Sequence, residues 1–337
     1  MTTQAGEKFL VVRVGRAGDM VMITPALRML LDQYPRAVFH LMTSADGRRV
    51  LAGYHPRLTE VFLYTRRVPR TWWEGRRLVQ QLRAQGYDGI FLFETNPHYH
   101  RLLARVGAPL HAIRNLKPDV HYCVRCLEVV EATLPKPPAR GWINLPVTEE
   151  GRRKAGELLR RQDIHPEDFL VGLHCTYSGM TLPWYRRSRT AHRTWPQESF
   201  ATLARNLREE GARRGLDLKV VTDVLPEERP LIRELEQKSG GALTVLCEPP
   251  DFERYKGVLA RMNLFVTPDT GPMHIAAALG VPVVALFSGK SPLDCGPFIS
   301  PKRYRILRAE DCAPPPARLS AITPAAVLAA CLDLMPA

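Results

Sequence analysis

The chain is short of several features that usually announce a function. None of its apolar stretches approaches the ~20 residues that a membrane-spanning helix needs, so no integral anchor is expected. No G-x-G-x-x-G fingerprint occurs, which disfavours a nucleotide-dependent oxidoreductase or epimerase on a Rossmann sheet. There are seven cysteines, but only Cys123 and Cys126 form a C-x-x-C, and no second pair at zinc spacing accompanies them. The opening Met1 to Lys8 is polar and does not read as a secretory signal, so incidental thiols in a reduced cytosolic setting are expected. No nucleic-acid fold motif accompanies the net charge of +13, leaving anionic lipid or a phosphorylated sugar as the partners a basic surface would attract.

What is present is ordinary in bulk and specific in places. The 337 residues suit two domains, and 45% hydrophobic with 24% charged content is that of a globular enzyme. Leu264 to Thr267 is a short apolar run that reads as a buried strand, and Ile275 to Leu279 is strongly helix-forming. Between them lie Asp269, Thr270, Gly271, Pro272, Met273 and His274. Pro272 suits a first helical turn, where a missing N–H costs nothing. Gly280 is a plausible stop, and Val283 to Phe287 reads as the next strand. Such a turn would aim helix N–H groups at a crevice beyond the sheet, a natural place for phosphate. A capped helix in any α/β protein would look similar.

A second loop of this kind lies near the N-terminus. Phe9 to Val14 reads as a strand, Gly15 to Asp19 as a glycine-bearing turn, and Met20 to Leu31 as a helix with Pro25 in its first turns or bending its axis. The turn supplies G-x-x-G but is not a Walker loop, since no Gly-Lys-Ser/Thr follows it. It places one carboxylate, Asp19, at a helix start, where a helix cap alone would explain it.

Val12 to Val21, with Thr24 to Leu27, resembles the opening of the ADP-heptose:lipopolysaccharide heptosyltransferases, glycosyltransferase family nine. Thr267 to Phe287 resembles that family's C-terminal signature more closely, and Arg193-Thr194-Trp195-Pro196 followed by Glu198-Ser199-Phe200 is similar to its basic-x-Trp-Pro segment. The three matches fall in the family's order over most of the chain. The resemblance implies a GT-B architecture: two facing Rossmann-like α/β domains with a central cleft. Residues 1–148 would bind the acceptor and 149–337 the nucleotide sugar, with the last helix free to pack back on the first domain. It implies an inverting, metal-independent transfer of heptose from ADP-heptose to an inner-core lipopolysaccharide or related glycan, with no cofactor. No Asp-x-Asp pair is present, and arginine with helix N-termini can take a cation's part.

By the same carry-over, Asp19 is the general base and Gly18 lies at the acceptor. Arg193, Asp269, Thr270, Gly271, His274 and Glu227 form the donor site, while Met273 reads as core. Arg66, Arg67 and Arg70, clustered near Trp72 and Trp73, read either as a solvated basic face or as a loop gripping an anionic, lipid A-linked acceptor at the inner-membrane surface. The enzyme would then be cytoplasmic and peripheral on the cytosolic face.

Several positions depart from the family's pattern. His174-Cys175-Thr176 stands where His-Pro-Gly is common, and an arginine-rich insertion spans roughly Tyr177 to Ala191. Asp223-Val224-Leu225-Pro226 replaces a glycine-rich turn, and Ser288-Gly289-Lys290-Ser291-Pro292 replaces a Gly-Pro-Thr segment. These changes leave open a different nucleotide sugar, or a silent member that binds one as scaffold or regulator. Further strands are expected near 37–42, 60–64 and 89–93, then at Phe169 to His174 and Leu218 to Thr222. Helices are expected from Glu149 to Arg161 and from Ile322 to Met335.

Overall fold

The computed structural model describes residues 6–64, 71–177, 180 and 194–336, with the backbone alone at 71, 72 and 74. Contacts divide the chain into two units, Met1–Pro146 and Val147–Ala337.

The first unit runs β1 (Lys8–Arg13), α1 (Ala17–Met22), α2 (Thr24–Gln33), β2 (Val38–Thr43), α3 (Ala45–Val50) and β3 (Leu58–Leu63). It continues with α4 (Thr71–Ala84), β4 (Gly89–Leu92), α5 (Pro97–Leu103), β5 (Leu110–Ala112) and α6 (Tyr122–Glu131). Its five strands are parallel in the order β3-β2-β1-β4-β5. A central parallel strand is covered on both faces, so it reads as an unbroken apolar run; Phe9, Leu10, Val11 and Val12 are all buried. The single helix expected from Met20 to Leu31 is in fact two, α1 and α2, meeting at Ile23. Pro25 lies in the first turn of α2, where its missing N–H is harmless, so it opens a helix rather than bending one.

The segment leaving this unit is tied back to that helix junction. The Tyr54 hydroxyl donates to Asn144 Oδ1 at 2.7 Å, and the Asn144 N–H donates to Thr24 Oγ1 at 3.1 Å. Thr24 in turn donates to the Val21 carbonyl at 2.7 Å. Ile143 and Leu145 are buried on either side of Asn144.

The second unit runs α7 (Glu149–Arg161), β6 (Phe169–Leu173), α8 (Gln197–Arg213), β7 (Leu218–Val224), α9 (Arg233–Lys238) and β8 (Thr244–Cys247). Then follow α10 (Phe252–Arg261), β9 (Leu264–Pro268), α11 (Gly271–Ala278), β10 (Val283–Phe287), α12 (Pro292–Cys295), β11 (Tyr304–Arg308) and α13 (Pro324–Leu334). Its six parallel strands take the order β11-β10-β9-β6-β7-β8. Gly280, at φ +80°, ends α11 in a conformation glycine adopts without strain. The closing helix α13 sends Val327 and Cys331 into the second unit's core, in one cluster with Ala204 and Leu286.

Both sheets reverse their strand order once, between β1 and β4 and between β6 and β9. In open α/β sheets the loops at such a switch point diverge to opposite faces and leave a crevice beyond the carboxyl ends of the strands. Asp19, in the first turn of α1, and Thr270, the cap of α11, follow β1 and β9 at those two points.

Candidate active site

At the first switch point Val12 of β1 pairs with Leu92 of β4, so the residues just beyond both strands share one edge. Arg13 ends β1, and Glu94 follows two residues after β4. One Glu94 oxygen accepts the Val14 N–H at 2.9 Å, and the other lies 3.2 Å from Arg13 Nη1. The same nitrogen donates to the Phe93 carbonyl at 3.3 Å. Arg13 Nη2 donates to Asp19 Oδ1 at 2.7 Å. The guanidinium lies over the ring of Tyr122, 4.6 Å from its centroid, and the Tyr122 hydroxyl donates to the Phe93 carbonyl. Burial raises the Glu94 carboxyl above its ordinary range, opposed by Arg13 and the Val14 N–H and reinforced by the negative charge of Asp19.

Asp19 is the member of this cluster that reaches solvent. Its side chain is 33% exposed, against 12% for Arg13 and 9% for Glu94. Its second oxygen, Oδ2, accepts the N–H of the helix-capping position, Arg16, at 2.8 Å. Two donors therefore fix the plane of the carboxylate. Gly18, expected at the acceptor, is buried in the first turn of α1, so Asp19 presents this loop's chemistry.

Gly15 makes the arrangement possible, because a Cβ there would lie 2.6 Å from Asp19 Cβ and 2.7 Å from Oδ2. Gly15→Ala is expected to push the carboxylate off the Arg16 N–H and lower turnover by up to about 10²-fold, the cost of a misplacement near 1 Å. Initial-rate kinetics showing kcat reduced with donor KM unchanged would confirm it.

At the second switch point Thr270 caps α11 in an extended conformation, φ −140° and ψ 167°, without giving its hydroxyl to the helix. That hydroxyl lies 3.1 Å from Thr267 Oγ1. With Pro272 in the first turn and no side-chain cap, the helix start offers Gly271 and backbone N–H donors to an anion. Asp269 is anchored by its N–H to the Leu286 carbonyl at 3.0 Å. Its carboxylate lies 3.7 Å from Lys290 Nζ, on a side chain 49% exposed in the turn after β10. Gly289 holds that turn by donating to Glu310 at 2.6 Å. His274 is only 4% exposed, and Met273 is core.

Other expected residues fall differently. Glu227 is exposed, whereas its neighbour Glu228 accepts the Leu225 N–H at 3.1 Å and hydrogen-bonds Thr176 of the loop after β6. Burial raises the Glu228 carboxyl. Arg193, Arg66, Arg67 and Arg70 lie outside the described residues, as does most of the Tyr177 to Ala191 insertion. Cys123 and Cys126 are both buried on α6, and burial pushes the Cys126 thiol up to about 12, the condition of inert core thiols.

Arg13, Glu94 and Tyr122 stand unannounced in the sequence. The available signal was a charged residue closing each of two apolar runs, Val12 to Arg13 and Phe93 to Glu94. A cavity of about 570 Å³ beside α7 and α10 is lined by Lys154, Glu157, Arg160, Arg161 and Arg254. Its cations are largely spent on Asp251, Glu248 and Asp223, so it reads as an ion-pair seam. Among the described residues, no three His, Cys, Asp or Glu side chains group to hold a metal, and no helix is long and apolar enough to cross a membrane.

The chain is 26% identical over 329 residues to lipopolysaccharide heptosyltransferase 2 of Salmonella typhimurium, covering 89% of this chain and 88% of that protein. Its fold matches the crystal structure of a glycosyl transferase family 9 protein from Veillonella parvula with a TM-score of 0.81 at 19% identity, over 98% of both chains. It also matches the E. coli ADP-heptose lps heptosyltransferase II, with a TM-score of 0.72 at 22% identity over 97% of this chain and 98% of that one. The sequence model of glycosyltransferase family 9 (heptosyltransferase) matches residues 128–324, more than half of the chain. The two α/β units, the loops at their switch points and this match together show that the chain is a glycosyltransferase belonging to family 9, the heptosyltransferases.

Proposed function

We propose that the chain transfers a heptose from ADP-heptose to an inner-core lipopolysaccharide or related glycan, with inversion and without a metal, Asp19 acting as general base. The observation that carries this reading is the position of Asp19: a partly exposed carboxylate held by two donors at the first switch point. Its relatives' names, which speak of ADP-heptose and lipopolysaccharide, supply the substrates.

The chemistry then divides between the units. The acceptor hydroxyl oxygen attacks the anomeric carbon, its proton passes to Asp19, and the bond from that carbon to the diphosphate oxygen breaks with its electron pair leaving on ADP. Negative charge grows on the departing phosphate, where the N-terminus of α11, Thr270, Gly271 and the Arg193 side chain are assigned to meet it. Lys290 adds a cation on the same edge. Lys290→Met is expected to raise the donor KM about two- to fivefold with little change in kcat, the scale of an exposed charge contact; ADP-heptose titrations at fixed acceptor measure it.

A lipid-linked acceptor would place the enzyme on the cytosolic face of the inner membrane, where a net charge of +13 favours an anionic surface. The reading is tested by following ADP release from ADP-heptose with a panel of truncated core acceptors, then assigning the product's anomeric configuration by NMR. Acceptor-dependent release with an inverted linkage is expected. Donor binding without turnover on any acceptor would point instead to a silent binder.

A further inference from the structure

We propose that Arg13 is the positioning residue of the base, aiming the Asp19 carboxylate with one arm while Glu94 holds the other. The inference rests on the assignment of Asp19 as base and concerns what controls it.

The geometry is that of one cation shared by two anions. Arg13 turns one arm to Asp19 at 2.7 Å and the other to Glu94 at 3.2 Å. Sequence neighbours could not build this contact, because Glu94 arrives from β4 and is aimed by the Val14 N–H of β1's own loop. Glu94 and Arg13 are nearly enclosed, so their charges are poorly screened. The charged and titratable groups packed around the pair are Asp19 and Arg16 from the start of α1, Tyr122 and Cys126 from α6, and His100 of α5. His100 Nε2 lies 3.3 Å from the Glu94 carbonyl. Arg13 is the cation that both carboxylates touch.

Direction is what Arg13 supplies. Its fork holds Oδ1 of Asp19 while the Arg16 N–H holds Oδ2, so losing the fork frees one edge of the carboxylate and leaves the donor site unchanged. Lysine keeps the charge but cannot reproduce the planar fork that reaches both carboxylates at once.

The experiment measures kcat and donor KM for acceptor-dependent ADP release, with thermal midpoints, in wild type, Arg13→Met, Arg13→Lys and Asp19→Asn. Arg13→Met is expected to lower kcat by about 10- to 10²-fold, the scale of a misplaced catalytic group, with donor KM and midpoint near wild type. Arg13→Lys, which keeps the charge without the fork, should recover only part of the loss. A loss in Arg13→Met that comes with a raised donor KM or a lowered midpoint would overturn the proposal and leave Arg13 a structural residue. So would wild-type kcat in Arg13→Met. If Arg13→Met does not fold, Arg13→Gln, whose shorter arm loses the fork, must lower kcat with donor KM unmoved or the proposal falls. Full turnover in Asp19→Asn would instead remove the base assignment itself, a result distinguishable from either.

Discussion

Replacing Asp19 with asparagine is expected to lower kcat by about 10²–10⁴-fold, the usual worth of a positioned base, while donor binding survives. The substitution preserves shape, so Gly15 still accommodates it. It removes the only carboxylate of this loop that reaches solvent, and it sets an amide NH₂ against one of two fixed donors, Arg13 Nη2 or the Arg16 N–H. One of those bonds must be lost, which adds disorder to the loss of basicity. The diphosphate is assigned to α11, which belongs to the other unit. The measurement pairs single-turnover rates with donor titration by calorimetry. A rate within tenfold of wild type would move the base to another residue. A collapse of donor affinity would show that Asp19 acts through the fold rather than on the acceptor.

The second large effect is on stability. Trp195→Ala is expected to destabilise the second unit by about 3–5 kcal/mol, the range for deleting a large buried aromatic. Trp195 is fully buried, packs edge-to-face on Phe200 at 4.8 Å between ring centroids, and donates its indole N–H to the Ile322 carbonyl at 2.9 Å. It thus ties the start of α8 to the segment just before α13. Trp195→Phe keeps most of the packing but leaves that carbonyl without its donor, a loss of about 1–3 kcal/mol. Urea denaturation should rank wild type above Trp195→Phe above Trp195→Ala, with the change confined to the transition that unfolds the second sheet. Equal midpoints for the three proteins would contradict it. On this reading the tryptophan of the basic-x-Trp-Pro segment is an anchor that fixes where α8 begins.

The contrast between these two residues explains what the sequence made legible. The unit from β9 through α11 to β10 could be read directly, because buried parallel strands are continuous apolar runs and Pro272 and Gly280 punctuate the helix between them. Helix α7 was equally plain, with Thr148 accepting the Gly151 N–H at its start and a clean amphipathic pattern after it. The strands that escaped notice, β5, β8 and β11, all lie at sheet edges. Edge strands are short and half-exposed, so Leu110-His111-Ala112 and Tyr304-Arg305-Ile306-Leu307-Arg308 carry polar residues that erase the apolar signal. Asp19 was found through resemblance, since a helix-start carboxylate is common. Arg13 and Glu94 were not, because their partnership depends on β1 and β4 being neighbours. Local pattern does not encode which strands lie side by side.

The clasp formed by Tyr54, Asn144 and Thr24 bears on how the first unit could be cut free. A fragment ending before Trp142 would lose Asn144 together with the buried Ile143 and Leu145, and with them the strap across the junction of α1 and α2. One extended through Pro146 keeps all three. The segment leaving the first unit is therefore the last structural piece of the half that carries Asp19, and excising that half for study means severing the chain beyond it.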